Sequence, residues 1–401
     1  MTLFAAVELA PRDPILGLNE QFGADARAHK VNLGVGVYFD DAGKLPLLAC
    51  VKAAEQQLND AAKPRGYLPI DGIAAYDKAV QRLVFGADAP VLLAGRVATV
   101  QALGGTGGLK LGADFLKKLN PGATVLISDP SWENHRALFT NAGFAVRSYA
   151  YYDAANRGVR FDAMLADLGV AAAGTIVVLH ACCHNPTGYD ISPAQWGQVI
   201  EVLQARQLVP FLDMAYQGFG DGIAEDGAVV QQFLASGLDF FVATSFSKSF
   251  SLYGERVGAL SVVCSSADDA ARVLSQLKIT IRTNYSNPPT HGAQVVTMVL
   301  DNPALRTMWE DELAGMRRRI KQMRALLQDK LQAADVAQDF SFITRQRGMF
   351  SYSGLSKPQM DRLRDEFAIY GVDTGRICVA ALNTRNIDAV VAAIGQVCQQ
   401  P

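Results

Sequence analysis

Short apolar runs alternate with stretches of helical periodicity through the middle of this chain. The runs are almost continuously apolar, which is typical of strands that are buried on both faces. Strands that alternate with helices favour a mostly parallel sheet covered by helices on both sides. The runs that predict strands are residues 97–101, 124–128, 175–179, 208–212 and 240–243.

The pattern changes near residue 300. A long, charged helical stretch runs from Pro303 to about Leu331, and short predicted strands follow at 348–352 and 377–380. A chain of 401 residues is also longer than one compact core usually supports. We predict an α/β protein with an N-terminal arm and segment at 1–45, a large domain at 46–300 and a smaller α+β domain at 301–401. The first segment is expected to complete the smaller domain.

The composition excludes several classes of protein. The 37 basic and 39 acidic residues give a net charge of −2, so no basic excess indicates nucleic-acid binding. No run of about 18 apolar residues predicts a transmembrane helix. The first residues lack the basic region and apolar core of a secretory signal. Six scattered cysteines suit reduced thiols, and we predict a cytoplasmic protein without membrane contacts.

Lys248 follows the last predicted strand in the sequence Ser-Phe-Ser-Lys-Ser-Phe. An apolar pocket favours the neutral amine of a lysine, and a neutral amine can condense with an aldehyde. Ser245, Ser247 and the nearby Arg256 could hold a phosphate beside it. A lone lysine at a strand end is more often a solvated surface group, so this segment alone leaves both interpretations open.

Other polar or aromatic residues follow the other predicted strands. Asp213 could pair with a cationic cofactor ring or cap the next helix. Asn185 lies in a turn sequence, Asn-Pro-Thr-Gly, at the same edge of the sheet. Trp132 could stack on an aromatic cofactor or fill the core. Because ligands bind beyond the carboxyl ends of parallel strands, these positions favour a binding site there.

A glycine-rich segment at 103–110 follows a predicted strand and opens a predicted helix. Its backbone N–H groups, the helix N-terminus and the Thr106 hydroxyl could bind an anion. Gly105 and Gly107 are not followed by the last glycine of the dinucleotide motif, so a nicotinamide-binding site is disfavoured. A purely structural turn is the other interpretation.

The run His-Ala-Cys-Cys-His at 180–184 looks at first like a metal cluster. Adjacent cysteines lack the paired spacing of structural zinc sites, and no second cluster exists. We therefore predict no metal site. Two arginines, Arg282 and Arg376, have side chains whose shape matches carboxylates, although each alone is more often a surface ion pair.

Five motifs give the chain its resemblance to a family. They are Ser-Phe-Ser-Lys at 245–248, His-Asn-Pro-Thr-Gly at 184–188, Asp-Met-Ala-Tyr at 213–216, the segment from Arg282 to Pro289 and Thr-Gly-Arg at 374–376. In order and spacing they resemble those of the fold-type I pyridoxal phosphate aminotransferases, aspartate/aromatic subgroup. Within the subgroup, the chain looks most similar to bacterial aromatic-amino-acid (tyrosine) aminotransferases. The resemblance covers nearly the whole chain and implies a large domain with a mostly parallel seven-stranded sheet.

By this resemblance, Lys248 bonds to pyridoxal 5'-phosphate and later transfers a proton. Asp213 pairs with the ring nitrogen, with His135 behind it. Tyr216 and Asn185 hydrogen-bond the ring's 3-oxygen. Trp132 stacks on the ring. The residues implied to bind the phosphate are Gly105, Thr106, Ser245, Ser247, Arg256 and Tyr67. Of these, Tyr67 reaches the cofactor of the neighbouring subunit.

The resemblance also implies the substrates. Arg376 binds the α-carboxylate, Arg282 meets a distal carboxylate across a homodimer, and Gly36 lies on a lid, with Trp132 and Asn185 also near the substrate. The implied activity moves the amino group of tyrosine, phenylalanine and aspartate to 2-oxoglutarate; the alternative is a dedicated aspartate aminotransferase. Because a buried arginine facing a phenyl ring would lack a partner, we expect Arg282 to be mobile. A pyridoxal phosphate lyase is the main rival within the fold.

Overall fold

The computed structural model describes residues 2–399. Contacts divide the chain into two units. The large unit comprises Leu45–Lys321 and Arg345–Gly348, and the small unit comprises the chain up to Lys44, Gln322–Thr344 and the chain from Met349 on. The large unit extends beyond the predicted limit at residue 300, because Trp309 at the start of the long helix is buried in it, stacked on Phe250.

The bounds of the helices and strands are as follows. The α-helices are α1 (Leu16–Ala24), α2 (Ala49–Asp60), α3 (Ala74–Phe85), α4 (Pro90–Leu93), α5 (Gly104–Leu119), α6 (Glu133–Asn141), α7 (Phe161–Gly169), α8 (Pro193–Ala205), α9 (Ile223–Ser236), α10 (Ala267–Asn284), α11 (His291–Asp301), α12 (Pro303–Ala333), α13 (Lys357–Phe367) and α14 (Ile387–Gln399). The strands are β1 (Val31–Asn32), β2 (Val97–Leu103), β3 (Thr124–Asp129), β4 (Ala145–Ala150), β5 (Tyr152–Asp153), β6 (Gly158–Val159), β7 (Ile176–His180), β8 (Val209–Met214), β9 (Phe240–Ser245), β10 (Val257–Val263), β11 (Phe350–Tyr352), β12 (Ile369–Tyr370) and β13 (Arg376–Cys378).

The large unit is built on a seven-stranded sheet with the order β2-β10-β9-β8-β7-β3-β4. Its neighbouring strands pair in parallel except at β10, which is antiparallel to both β2 and β9. This confirms the predicted mostly parallel sheet and all five strands predicted for it from the sequence. Two strands of this sheet, β4 and β10, were not predicted.

The central strands are buried as their apolar runs predict. Every residue of β7 and of β9 is buried. Helix α5 lies unusually close to the sheet because two of its glycines face it. A Cβ at Gly108 would lie 2.8 Å from the Ala259 carbonyl oxygen, and one at Gly112 would lie 2.5 Å from the Phe211 ring. Any larger residue at either position would push the helix away from the strands.

Three parallel strands of the large unit bring their carboxyl ends to one edge of the sheet. Strands β7, β8 and β9 end at His180, Met214 and Ser245. Their register aligns His180 with Asp213 and Asp213 with Ala243. The residues just after these strands therefore meet at this edge, as the sequence predicts.

The small unit carries two short sheets. Strand β1 pairs in parallel with β12, and β11 pairs antiparallel with β13. The predicted strands at 348–352 and 377–380 correspond to β11 and β13. Among the residues that the structure describes, no helix is both long and apolar enough to cross a membrane.

Candidate active site

Lys248 lies in a tight turn directly after β9. The Phe250 N–H donates to the Phe246 carbonyl at 3.2 Å, and the Ser251 N–H donates to the Lys248 carbonyl at 3.1 Å. The side chain is half-buried, and its Nζ lies 4.7 Å from the centre of the Tyr216 ring. The turn therefore directs the amine to the aromatic ring that follows the neighbouring strand β8.

Asp213 is buried at the carboxyl end of β8 beside a histidine. His135 Nε2 lies 2.8 Å from Asp213 Oδ2, and His135 Nδ1 lies 2.9 Å from Ser131 Oγ. Burial alone would raise the pKa of Asp213, but the hydrogen bond from His135 and nearby positive charge hold the pKa below its usual value. The carboxylate therefore stays ionised although it is buried, and it can pair with a cation.

Two more buried histidines stand behind this pair. The His180 ring is 4.9 Å from that of His135 and 4.3 Å from that of His184, and neither His180 nitrogen has a hydrogen-bond partner among the described residues. Burial lowers the pKa of His180 to about 3, so this ring is neutral. His184 is held by Ser128 and Thr187. Sequence reasoning missed this arrangement because it judged the cluster only as a metal site.

A second group of residues surrounds the start of α5. A Cβ at Gly104 would lie 2.5 Å from Arg256 Nη2, and one at Gly105 would lie 3.1 Å from Ser245 Cβ. Arg256 Nη1 donates to Ser247 Oγ at 3.4 Å. The helix N-terminus, a guanidinium and two hydroxyl side chains therefore converge here, and such a group binds a phosphate dianion.

The residues at the sheet edge fit the predicted cofactor, pyridoxal 5'-phosphate. The cradle at α5 offers donors and positive charge for a phosphate, and the Arg256 guanidinium can lie against the start of the helix because position 104 carries no side chain. Asp213 accepts a hydrogen bond from His135 at one oxygen and keeps its negative charge for a cationic ring nitrogen. Lys248 provides the amine.

The other predicted cofactor residues of the large unit lie nearby in the fold. Asn185 and Tyr216 are buried in the loops that follow β7 and β8. Trp132 directly precedes α6 and packs edge-on against His135 at 5.3 Å, which places the indole beside the residue that holds Asp213. Thr106 lies in the first turn of α5.

Two predicted site residues are exposed in the single chain. Tyr67 is 97% exposed, in the segment between α2 and α3. Arg282 is exposed on α10, and its guanidinium contacts Ser286 Oγ. The family resemblance assigns both residues to the neighbouring subunit's site.

The predicted carboxylate-binding residue Arg376 belongs to the small unit. It is 1% exposed, donates from Nη2 to the Gly34 carbonyl at 2.7 Å, and lies 4.3 Å above the centre of the Phe350 ring. The same ring limits Gly36, because a Cβ there would lie 2.7 Å from Phe350 Cζ. Phe350 thus contacts both predicted substrate residues of this unit, and sequence reasoning did not single it out.

The cysteine pair does not resemble a metal site. Donor atoms of Cys182, Cys183 and Asp226 lie within 4.8 Å of one another. The Asp226 carboxylate, however, already accepts three backbone N–H groups of residues 218–221. The mutual thiol hydrogen bond and burial raise the pKa of Cys182, so that thiol stays protonated and is a poor ligand. The absence of a metal site stays a prediction.

Comparisons with known proteins agree on one family. The family model described as "Aminotransferase class I and II" matches residues 28–394. An aspartate aminotransferase of Pseudomonas aeruginosa is 64% identical over 99% of this chain and all of the relative. The crystal structure of an aromatic-amino-acid aminotransferase from Burkholderia pseudomallei, covalently bound to pyridoxal phosphate, is 66% identical, with a TM-score of 0.97 over 99% of this chain and 100% of that one. An aromatic aminotransferase from Psychrobacter sp. B6, cocrystallised with aspartic acid, is 46% identical, with a TM-score of 0.96 over 98% and 99%.

Proposed function

Because the chain belongs to the class I and II aminotransferase family, we propose that it transfers the amino group of aromatic amino acids and aspartate to 2-oxoglutarate. The products are the corresponding 2-oxo acid and glutamate. Pyridoxal 5'-phosphate is the cofactor. The relatives named for aromatic amino acids and for aspartate both support this pair of donor classes.

One observation carries the proposal. A lysine and a buried, ionised aspartate stand at the carboxyl ends of adjacent parallel strands, beside a phosphate cradle. When bound, the cofactor supplies an aromatic ring that stabilises negative charge at the substrate's Cα. Lys248 Nζ takes the proton from that carbon. Asp213 keeps its negative charge and so holds a proton on the ring nitrogen.

The other residues bind and orient. Arg256, Ser245 and Ser247 hold the phosphate with the backbone of Gly105 and the hydroxyl of Thr106. Tyr216 and Asn185 donate hydrogen bonds toward the ring oxygen, and Trp132 covers a ring face. Arg376 binds the substrate's α-carboxylate through its planar guanidinium.

We propose that the protein forms a homodimer and acts in the cytoplasm. Tyr67 and Arg282 are exposed in the single chain, which suits residues that act in a partner's site. All six cysteines are free, which suits a reducing compartment.

The test of the proposed function is an absorption spectrum. The purified protein with pyridoxal phosphate should show a visible band that shifts when glutamate is added, and Lys248→Ala should lose that band. Lys110→Ala removes a lysine of α5 that pairs with Asp114, so it serves as the control and should keep the band. A wild-type protein without any cofactor band would overturn the proposal.

A dedicated aspartate aminotransferase is the second candidate, favoured by the Pseudomonas aeruginosa relative. Steady-state kinetics with tyrosine, phenylalanine and aspartate as donors separates the two. Turnover of aspartate alone would establish the second candidate. With both donor classes active, Arg282→Leu should lose aspartate activity and keep phenylalanine activity, because only aspartate has a distal carboxylate for this arginine. Equal loss on both donors would contradict the role assigned to Arg282.

A further inference from the structure

Four buried aromatic side chains bracket the turn that carries Lys248. They are Tyr76, Phe246, Phe250 and Trp309, here called the aromatic ladder. Phe246 and Phe250 belong to the turn itself, whereas Tyr76 lies on α3 and Trp309 on α12. None of the four was assigned a role in the proposed reaction, and each is at most 1% exposed.

The rings of the aromatic ladder form a continuous series of contacts. Tyr76 meets Phe246 edge-on at 6.0 Å, and Phe246 meets Phe250 edge-on at 5.4 Å. Phe250 then stacks on Trp309 at 4.7 Å with an angle of 21° between the ring planes. Edge-on and offset stacked arrangements are the favourable geometries for aromatic pairs, so each contact adds to simple burial.

Both ends of the aromatic ladder are tied to the backbone around Lys248. The Tyr76 hydroxyl donates to the Gly258 carbonyl at 2.7 Å, and Gly258 pairs with Ser245 in the sheet. The Trp309 indole N–H donates to the Ser249 carbonyl at 2.7 Å. One anchor therefore holds the strand that pairs with Ser245, before the lysine, and the other holds the residue directly after the lysine.

Trp309 is the member with the strongest hold on the turn. It contacts the residue after Lys248 by a hydrogen bond and the next residue by a stacked ring. A purely apolar contact would leave the position of the turn loosely defined. The indole N–H donates to one acceptor, the Ser249 carbonyl, and this hydrogen bond fixes the distance between the two groups. Residue 309 is 61 positions away along the chain, so this constraint comes from the tertiary fold.

We propose that Trp309 is a positioning residue that sets the place of the Lys248 amine by holding the Ser249 carbonyl and the Phe250 ring. The inference rests on the role proposed for Lys248. A misplacement of about 1 Å costs a reaction about 100-fold, so loosening the turn should reduce turnover and not only stability.

The experiment compares Trp309→Phe and Trp309→Leu in the cofactor-loaded enzyme. Trp309→Phe keeps a ring on Phe250 and loses the hydrogen bond, whereas Trp309→Leu loses both. Trp196→Phe and Trp196→Leu are the matched controls, because Trp196 is also buried in the large unit and packs on Phe233 away from the turn. The measurements are the pH midpoint of the visible absorption band, kcat, KM and thermal stability.

We expect kcat to fall about 3- to 10-fold in Trp309→Phe, the worth of one hydrogen bond, and about 100-fold in Trp309→Leu. The pH midpoint of the band should move by more than about half a unit in Trp309→Leu, because the amine's surroundings change. Both Trp196 variants should lower thermal stability and leave kcat and the midpoint unchanged. Trp309→Phe keeps the test informative if Trp309→Leu does not fold.

Two outcomes would overturn the inference. One is a Trp309→Phe enzyme with the wild-type midpoint and kcat. The other is an equal loss of kcat in the Trp309 and Trp196 variants, which would make Trp309 an ordinary core residue. A wild-type protein without a cofactor band would instead defeat the proposed function, so the two failures can be told apart.

Discussion

The turn around Lys248 in the large unit and the strand around Arg376 in the small unit are supported in different ways. In the large unit, Trp309 of the aromatic ladder holds the carbonyl that follows the lysine, and Tyr76 holds the strand paired with Ser245 before it. In the small unit, a carbonyl and a ring act on the guanidinium itself. The contacts in the large unit thus fix the backbone from which the Lys248 side chain extends. Those in the small unit fix the guanidinium at the end of the Arg376 side chain.

The difference matches what each group is proposed to do. A lysine that bonds to a cofactor and then carries a proton needs a fixed base and a tip that can move. An arginine that binds a carboxylate works best when its planar guanidinium is already oriented, because less freedom is then lost on binding. Substitutions in the two units test this contrast.

Arg376→Leu should have the largest effect. We expect kcat/KM to fall about 100- to 1000-fold for every amino donor, because a buried charge that meets the α-carboxylate is worth about 3–4 kcal/mol. The cofactor band should remain, since Arg376 is not among the cofactor residues. Steady-state kinetics and a spectrum of the same sample check this. A loss confined to aspartate would contradict the assignment.

Arg324→Met tests how the small unit holds its strand β11. Arg324 is buried and donates to the carbonyls of Ile343 and Phe350 and to Ser351 Oγ, at 3.3, 3.0 and 3.1 Å. Its removal leaves these acceptors without their donor and should cost about 2–4 kcal/mol of unfolding free energy.

All three tryptophans lie in the large unit, at positions 132, 196 and 309. Tryptophan fluorescence therefore reports on unfolding of the large unit in the Arg324 variant, whereas circular dichroism reports on both units. In urea, its circular dichroism should begin to change before its tryptophan fluorescence does, because only the small unit is weakened. Coincident curves for the two signals, shifted together, would contradict a local role.

Asp77→Asn tests the pH dependence of the large unit. Asp77 neighbours Tyr76 of the aromatic ladder, and burial, with the nearby Asp71 carboxylate, raises its pKa to about 9, while Lys278 opposes the shift. The folded state therefore keeps a proton that the unfolded chain releases above about pH 4. The contribution of Asp77 to the free energy of unfolding is therefore greatest below pH 4, and it is lost as the pH rises to about 9.

The variant should remove this loss. We expect Asp77→Asn to gain about 1–3 kcal/mol over the wild type by neutral pH, because its amide does not titrate and so escapes the loss that the buried carboxyl undergoes above pH 4. Urea unfolding followed by tryptophan fluorescence at several pH values measures the gain. Parallel stability curves for the two proteins would show that Asp77 does not titrate as stated.

Phe350→Leu should have the smallest effect. Loss of the ring beneath the Arg376 guanidinium removes about 1 kcal/mol of cation–π attraction, so KM should rise about 5- to 10-fold with little change in kcat. Phe340→Leu is the control, because Phe340 is buried in the small unit and stacks on Phe342. A similar rise of KM in both variants would make the effect one of general packing.

Much of the fold could be predicted from the sequence, and two strands show where prediction failed. Strand β10 contains glycine and serine and follows closely after the polar turn of Arg256, so its apolar run is interrupted. Strand β4 lies at the edge of the sheet and has several exposed residues, which breaks the continuous apolar pattern. Strand β10 also pairs with β2, which is distant in the sequence, whereas β4 pairs with the preceding strand β3.

The same strand pattern led to the candidate site residues, whose roles stay predictions. Lys248, Asp213 and Asn185 come directly after apolar strands, and parallel strands bring such positions to one edge. No comparable sequence pattern indicated three other features of the structure. These are the buried ring of His180, the ring of Phe350 beneath Arg376 and the buried charge of Arg324. Each has a role only through a neighbour that the tertiary structure supplies.

Local patterns in the sequence indicate the type of fold, the sheet edge at which the candidate site lies and the residue types available there, because strand periodicity and strand ends are local properties. How Lys248 and Arg376 are held depends instead on contacts between segments that the fold brings together. A ring that stacks 59 residues away, such as Trp309 on Phe250, and a glycine that admits a guanidinium, such as Gly104 beside Arg256, depend on packing between distant segments. No local pattern records such contacts, because their energy comes from the surface that the two segments bury together.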